Sequence, residues 1–318
     1  MTNFTRVTPL KIHLALFTVS LIFGISSVTS KIALMEVNSY ALVVMRISSA
    51  AILLAILHRF LIKEKIQTAR DYFLLAWYSI FGIVINQMLF LKGLSLTTAI
   101  NATVLVTAIP VVTILIAIMM RKEKASFRKI IGSVLSFIGI LVLLGSERID
   151  FADQYFLGNL LVFLNGVSFA IYLVISKDIL KRYKPATVVT WNFIFGTVGV
   201  LPFGWNETLA LHPGEISAVA WWCIAFLILF ASVLVYYING WALQRTTPST
   251  VAAYIYIQPL IATIISVTWL GETLKVSTVI AAALIFGGVF LVSLKMREEL
   301  RNDRELDLIK ESVALKEE

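Results

Sequence analysis

Cysteine, histidine and charged residues are all scarce in this chain, and each scarcity excludes a class of protein. Only one of the 318 residues is a cysteine, Cys223, so an intrachain disulfide framework and a cysteine-based zinc or iron–sulfur site are excluded. The three histidines, His13, His58 and His212, share no ligand spacing, which leaves a haem or zinc site without support. The sequence therefore predicts neither a metal ion nor another cofactor.

Charged residues make up 14% of the chain and hydrophobic residues 59%, with a mean hydropathy of +0.88. A soluble globular domain carries about 25% charged residues. Here the charges cluster in short runs and leave apolar stretches of about 17 to 23 residues, which is the span of a bilayer core. The sequence predicts an all-α polytopic membrane protein with ten transmembrane helices, at roughly 13–33, 39–57, 72–91, 97–119, 129–145, 156–177, 187–204, 218–241, 249–270 and 276–295.

The basic residues lie predominantly on one side of these spans. With a cytoplasmic N-terminus, 22 of the 27 lysines and arginines fall in the N-terminal segment, in cytoplasmic loops and in the C-terminal tail. Lys31, Lys92, Arg148 and Lys275 fall on the opposite side, and Arg46 lies within a span. The positive-inside rule therefore predicts that both termini are cytoplasmic. It also explains the net charge of +8, so no nucleic-acid partner is expected.

The second half of the sequence repeats the first. Residues 93–143 align with residues 242–292 at an offset of 149, and earlier positions align at an offset of 146. Each half contains five predicted spans, so the second half enters the membrane in the opposite sense. We expect two inverted repeats, 1–147 and 148–297, followed by a cytoplasmic tail, 298–318. The matched pairs include Phe23 with Phe169, Lys31 with Lys177, Pro110 with Pro259, Glu123 with Glu272 and Gly139 with Gly288.

Inverted repeats are a device of membrane transporters, because one packing arrangement serves as the outer gate in one half and as the inner gate in the other. The sequence resembles the drug/metabolite transporter superfamily, EamA-like branch, over residues 13–295. The resemblance rests on Phe23-Gly24, Arg46 and the paired prolines and glutamates of the two halves. Phe23-Gly24 replaces the Trp-Gly pair of many relatives. The resemblance implies a carrier that exports its substrate.

Arg46 is the only basic residue within a predicted span, and it admits two interpretations. Its guanidinium offers two parallel donors to a substrate carboxylate or phosphate. Alternatively, it holds helix-end carbonyls or a loop carboxylate while its stem reaches outward to the membrane interface.

Uncharged polar residues within the spans form the other candidate substrate-binding set. Each of them serves equally well in a hydrogen bond between helices, but together they predict a polar cavity lined by aromatic rings. Pro110 and Pro259 interrupt the hydrogen bonding of the fourth and ninth spans and are predicted gating hinges. The candidate binding residues besides Arg46 are Asn86, Gln87, Asn165, Tyr172, Asn192, Tyr236, Tyr254, Tyr256 and Gln258.

This set of residues favours a small zwitterionic or weakly anionic metabolite such as an amino acid. The expected function is alternating-access transport of such a molecule across the cytoplasmic (inner) membrane, by a monomer or weak homodimer whose partners are the substrate and the bilayer. A translocase of a lipid or lipid-linked substrate is the alternative. An enzyme is not expected, and no catalytic residue is assigned, since the motifs H-E-x-x-H and G-x-S-x-G do not occur.

Overall fold

The computed structural model describes residues 9–122, 127–145, 153–288 and 290, and the regular structure of this part of the chain is helical, without a β-strand. A short 3-10 turn, Pro213–Glu215, precedes the eighth long helix. The long helices are α1 Pro9–Ala33, α2 Ser39–Ile62, α3 Ala69–Leu96, α4 Ala99–Met119, α5 Phe127–Gly145, α6 Gln154–Leu180, α7 Pro185–Leu209, α8 Ala218–Arg245, α9 Pro248–Leu270 and α10 Val276–Gly288.

Eight of these helices, all except α5 and α10, are long and apolar enough to cross a membrane. Their ends lie within five residues of the predicted spans. The chain is therefore a multi-pass helical membrane protein. The helices α5 and α10 fall at the two remaining predicted spans and contain shorter apolar segments, 130–142 and 276–288. Their crossing, the inverted arrangement and the cytoplasmic termini stay predictions. Glu123 and the tail lie outside the described residues.

Capping side chains define where six of the helices begin. The first backbone N–H groups of a helix have no hydrogen-bond acceptor within the helix, and inside a membrane there is no water to accept from them. At α2 the side chain of Asn38 accepts from the Tyr40 N–H at 2.9 Å, and at α4 the Thr98 hydroxyl accepts from the Asn101 N–H at 3.1 Å. The other four capping residues are Thr68, Asp153, Ser217 and Thr247.

Four of the long helices change their winding partway along. The helices α3 and α8 contain π-helical segments, Ile80–Ile85 and Leu227–Leu234. The helix α4 is interrupted by a turn at 107–108, and α9 by the 3-10 segment Tyr254–Ile257. Irregular winding at membrane depth is tolerated where it is buried in protein or lines a cavity.

The predicted hinge prolines directly follow two of these interruptions. Pro110 lies in the first turn of the helical segment Ile109–Met119, and Pro259 in the first turn of Gln258–Ile265. Proline is favoured in a first turn because the N–H that it lacks would have no helical partner there. The prolines therefore restart their helices, and their action as hinges stays a prediction.

Several helix pairs approach so closely that they require glycine, and α3 with α6 and α2 with α7 are two of them. On α3, a Cβ at Gly93 would lie 2.8 Å from the Gly158 carbonyl oxygen of α6. On α7, a Cβ at Gly204 would lie 2.5 Å from the Tyr40 carbonyl oxygen of α2. Small residues at such crossings let helix backbones pack in van der Waals contact within the membrane. Of these four helices, α2, α3 and α6 line the cavity described next.

Candidate substrate-binding cavity

A cavity lies between seven of the helices, and its empty space, counted together with its opening, is about 530 Å³. Each lining helix contributes one to three side chains. Amides, hydroxyls and aromatic rings supply most of the wall. The lining residues are Phe23, Ser26, Ser27, Arg46, Asn86, Gln87, Phe90, Val106, Ile109, Asn165, Phe169, Tyr236, Ile255 and Gln258.

Arg46 is 2% exposed, so its side chain is buried among the helices. Its Nε donates to the Ser232 hydroxyl at 2.7 Å, and its Nη2 donates to the Ala231 carbonyl oxygen at 3.2 Å. Both acceptors lie in the π-helical segment of α8. These contacts are compatible with both interpretations drawn from the sequence, a structural arginine that anchors a helix and an arginine that contacts a substrate.

Four polar side chains form a hydrogen-bonded network beside Arg46. The Gln87 amide nitrogen donates to the Asn86 amide oxygen and to the Tyr236 hydroxyl, each at 2.8 Å. The Tyr236 hydroxyl lies 3.2 Å from the Gly82 carbonyl oxygen and 3.3 Å from the Asn86 amide oxygen. The Asn165 amide nitrogen donates to the Asn86 carbonyl oxygen at 2.8 Å. This network fixes the polar wall contributed by α3, α6 and α8.

Gln258 lines the opposite part of the wall and makes no side-chain hydrogen bond with any described residue, although it is only 4% exposed. The Gln87 amide oxygen is also buried without a partner in the described part of the chain. A buried amide without a partner is costly unless a water molecule or a ligand satisfies it. The cavity therefore offers hydrogen-bonding groups that a polar solute can use.

Six of the ten predicted binding residues line the cavity, and the other four lie elsewhere. Tyr172 and Asn192 pair with each other, because the Asn192 amide nitrogen donates to the Tyr172 hydroxyl at 3.3 Å. The Tyr254 hydroxyl lies 2.5 Å from His13 Nδ1, and the Tyr256 ring packs edge-on against Phe286. These four residues join helices. The six that line the cavity are Arg46, Asn86, Gln87, Asn165, Tyr236 and Gln258.

The sequence interpretation missed the apolar and hydroxyl part of the wall. Ser26 and Ser27 of α1 both donate to the Phe23 carbonyl oxygen, at 2.9 and 3.3 Å, so their hydroxyl hydrogens are already used within the helix. A signal for two of the missed residues was present, since Phe23 and Phe169 are matched positions of the two repeats. The other missed lining residues are Phe90, Val106, Ile109 and Ile255.

Charged groups close one end of the bundle above the cavity. The Lys31 ammonium group donates to the Leu94 and Thr97 carbonyl oxygens, at 2.8 and 2.5 Å. The Glu272 carboxylate accepts from the Ala99 and Ile100 N–H groups, at 2.8 and 3.1 Å, and thereby occupies the N-terminus of α4. A carboxylate at that position is favoured by the helix dipole. Helices α1, α3, α4 and the segment after α9 are joined in this way.

Membrane-crossing helices around a buried polar cavity define a helical membrane protein that can hold a solute between its helices. The model of the EamA-like transporter family matches residues 10–145 and again residues 156–294, so the chain belongs to this family. The resemblance seen in the sequence is thereby confirmed.

Relatives cover nearly all of the chain. A protein of Archaeoglobus fulgidus named "Uncharacterized transporter" is 26% identical over 296 residues, which are 91% of this chain and 99% of that protein. A "Probable terminal-alkyne amino-acid exporter" of Streptantibioticus cattleyicolor is 25% identical and covers 71% of this chain and 74% of its own length. A crystal structure with a TM-score of 0.66 and 17% identity covers 91% of this chain and 97% of its own, which shows the fold alone.

Proposed function

We propose that this transporter is an alternating-access carrier that exports small polar or amphipathic metabolites, amino acids or related compounds foremost, across the cytoplasmic membrane. The observation that carries this proposal is the cavity, which presents amides, aromatic rings and one guanidinium between helices that cross the bilayer. Substrate sites of carriers with inverted repeats lie at such an interface, among helices with interrupted winding. The named function of the Streptantibioticus relative supports the substrate class and the direction.

Contacts between equivalent residues support the inverted arrangement of ten spans. Gln87 and Tyr236 are 149 residues apart, which is the offset of the repeat, and they hydrogen-bond to each other. The Ser136 hydroxyl likewise donates to the carbonyl oxygen of Ile285, its equivalent, at 3.2 Å. In two copies related by a twofold axis, equivalent residues contact each other only near that axis. The proposed axis therefore passes beside the cavity.

Uptake by purified protein in liposomes tests the proposal. Vesicles with the protein are expected to accumulate one or more labelled amino acids from a pool, whereas empty vesicles do not. Gln258→Met keeps the length of the side chain, removes the unpartnered amide and is expected to reduce uptake. Gln67→Met is the matched control, because the Gln67 side chain is exposed outside the cavity. Flipping of labelled lipid without amino-acid uptake would instead establish the alternative, a lipid translocase.

A further inference from the structure

The cavity carries one charge, and that charge is positive. Arg46 is the only ionisable side chain with a permanent charge among the lining residues, and no aspartate or glutamate lines the cavity in the described part of the chain. Three of the described acidic side chains are held at helix ends: Glu36 contacts Ser217, Asp71 contacts Arg182 and Glu272 contacts the start of α4. Arg46 is therefore a buried cation without a counter-charge among the described residues.

The hydrogen bonds of Arg46 leave part of its guanidinium free. Its Nε and Nη2 each donate to a neutral oxygen of α8, whereas its Nη1 makes no hydrogen bond with any described residue. A charged group held in the membrane interior without a compensating charge is unfavourable, and an anion that enters the cavity reduces that cost. The planar arrangement of guanidinium donors matches a carboxylate.

The rest of the wall indicates what is attached to the anionic group. Four aromatic rings line the cavity, and they favour an apolar or aromatic body. The wall offers amide oxygens but no carboxylate for a cationic group of the substrate. Matched to this wall, a substrate has one carboxylate, a compact apolar body and no requirement for a positive charge. The rings belong to Phe23, Phe90, Phe169 and Tyr236.

We propose that the cavity is specific for small monocarboxylates, and that the free Nη1 of Arg46 binds the carboxylate while the aromatic rings contact the apolar body. This inference rests on the proposed transport function and names its substrate class. The site is asymmetric with respect to the repeat. The position equivalent to Arg46 at the offset of 146 is Asn192, which pairs with Tyr172 outside the cavity. The carboxylate is thus held on the side of α2 and α8.

The experiment compares 3-phenylpropionate with its neutral isostere 3-phenylpropanamide by thermal shift of the detergent-solubilised full chain. A ligand that binds only the folded state raises the melting temperature, and at a fixed concentration the increase is larger for the ligand with the lower Kd. The wild-type protein is expected to be stabilised by the carboxylate and not by the amide. Equal stabilisation by the two compounds, or by neither, would overturn the proposal, and this comparison requires no variant.

Variants then assign the effect to Arg46. In Arg46→Gln the affinity for 3-phenylpropionate is expected to fall about ten- to hundredfold, the range for a charge-assisted hydrogen bond. Arg46→Lys keeps the charge without the planar donors and is expected to fall in between. The control Arg59→Gln makes the same substitution at an exposed arginine outside the cavity and is expected to bind as the wild type does. Unchanged binding in folded Arg46→Gln would exclude the assigned contact.

Liposome uptake separates this inference from the proposed function. Uptake of amino acids with equal uptake of neutral analogues leaves transport intact and removes the carboxylate specificity. Carboxylate binding that is lost in Arg46→Gln, without uptake of any solute, supports the site and removes the transport function.

Discussion

Matching helical segments of the two halves of the chain carry different side chains. The α-helical segment Asn86–Leu96 of α3 corresponds residue for residue, at an offset of 149, to Val235–Arg245 of α8, and each follows a π-helical segment. The capping residues Thr98 and Thr247 are also equivalent. The side chains on the matching frames differ, however. The first half supplies the Arg46 guanidinium and the amides of Asn86 and Gln87, whereas the second supplies the amides of Asn165 and Gln258 and the Tyr236 hydroxyl. Matching helical segments thus contribute different groups to one cavity.

Packing at the helix ends differs between the halves as well. Where α3 meets α6, Gly93 and Gly158 let the backbones touch. The equivalent positions, at offsets of 149 and 146, are Ala242 and Ile12. Only the first pair consists of glycines, so the direct backbone contact between α3 and α6 has no equivalent of the same kind at Ala242 and Ile12. Equivalent positions of the two halves therefore carry residues of different size.

Replacing Gly93 with alanine, the residue type at the equivalent position 242, is expected to have the largest effect on stability. In Gly93→Ala the new Cβ would lie 2.8 Å from the Gly158 carbonyl oxygen and from a Val162 methyl group. We expect overpacking of about 2 kcal/mol, measured as a lower melting temperature in detergent. Gly214→Ala is the control, because a Cβ there meets nothing within 4 Å. Similar melting of the two variants would show that the helices separate without cost.

A second contrast concerns contacts that link the loops to the helix starts. In one of these links the Glu36 carboxylate of the first half accepts from the Ser217 N–H and hydroxyl of the second, both at 2.7 Å. At an offset of 146 the equivalent pair is Arg182 and Asp71, in which the acid has moved to the other partner and Arg182 donates at 2.6 Å. The two links lie at equivalent positions, but an arginine stands in the second where the first has a glutamate.

Loss of the buried acid of this pair is expected to destabilise the protein by about 2 kcal/mol. The Asp71 side chain is 2% exposed and also accepts from the Tyr183 hydroxyl at 2.7 Å, and Asp71→Asn weakens both bonds. Asp178→Asn serves as the control, because that carboxylate is 57% exposed in its pairs with Lys122 and Lys181. Exposed ion pairs contribute at most about 1 kcal/mol. A melting temperature lowered as much in Asp178→Asn as in Asp71→Asn would contradict this ranking.

The positions of the helices were predictable because apolar runs and capping residues fix them. The interruptions in α3 and α8 were not, since Ile80–Ile85 and Leu227–Leu234 are as apolar as the flanking turns, and winding there depends on the neighbouring helices. Prolines did mark the interruptions in α4 and α9.

The polar residues within the predicted spans included part of the candidate site, but the sequence did not show which of them line the cavity. Gln258 and Tyr172 look alike as buried polar residues, and only the packing shows that the first faces the cavity and the second faces Asn192. A hydrogen bond between helices and a contact with a solute require the same side chains. Arg46 shows the same ambiguity, because its distance along α2 from the helix end does not reveal that α8 covers it.

The exposed acid of the loop link, Glu36, gives the smallest expected effect and a pH signature. The hydrogen bonds from the Ser217 N–H and hydroxyl lower the pKa of the Glu36 carboxyl. A carboxyl whose pKa is lower in the folded state stabilises the protein above its unfolded pKa, and this contribution is lost as the pH falls through the folded pKa. Wild type is therefore expected to melt slightly above Glu36→Gln at pH 7, with the difference disappearing as the pH drops below about 4. Glu215→Gln, at an exposed carboxylate without a described hydrogen bond, controls for general charge effects. A difference between wild type and Glu36→Gln that stays constant with pH would show that the carboxylate charge is not what holds α8 to the loop after α1.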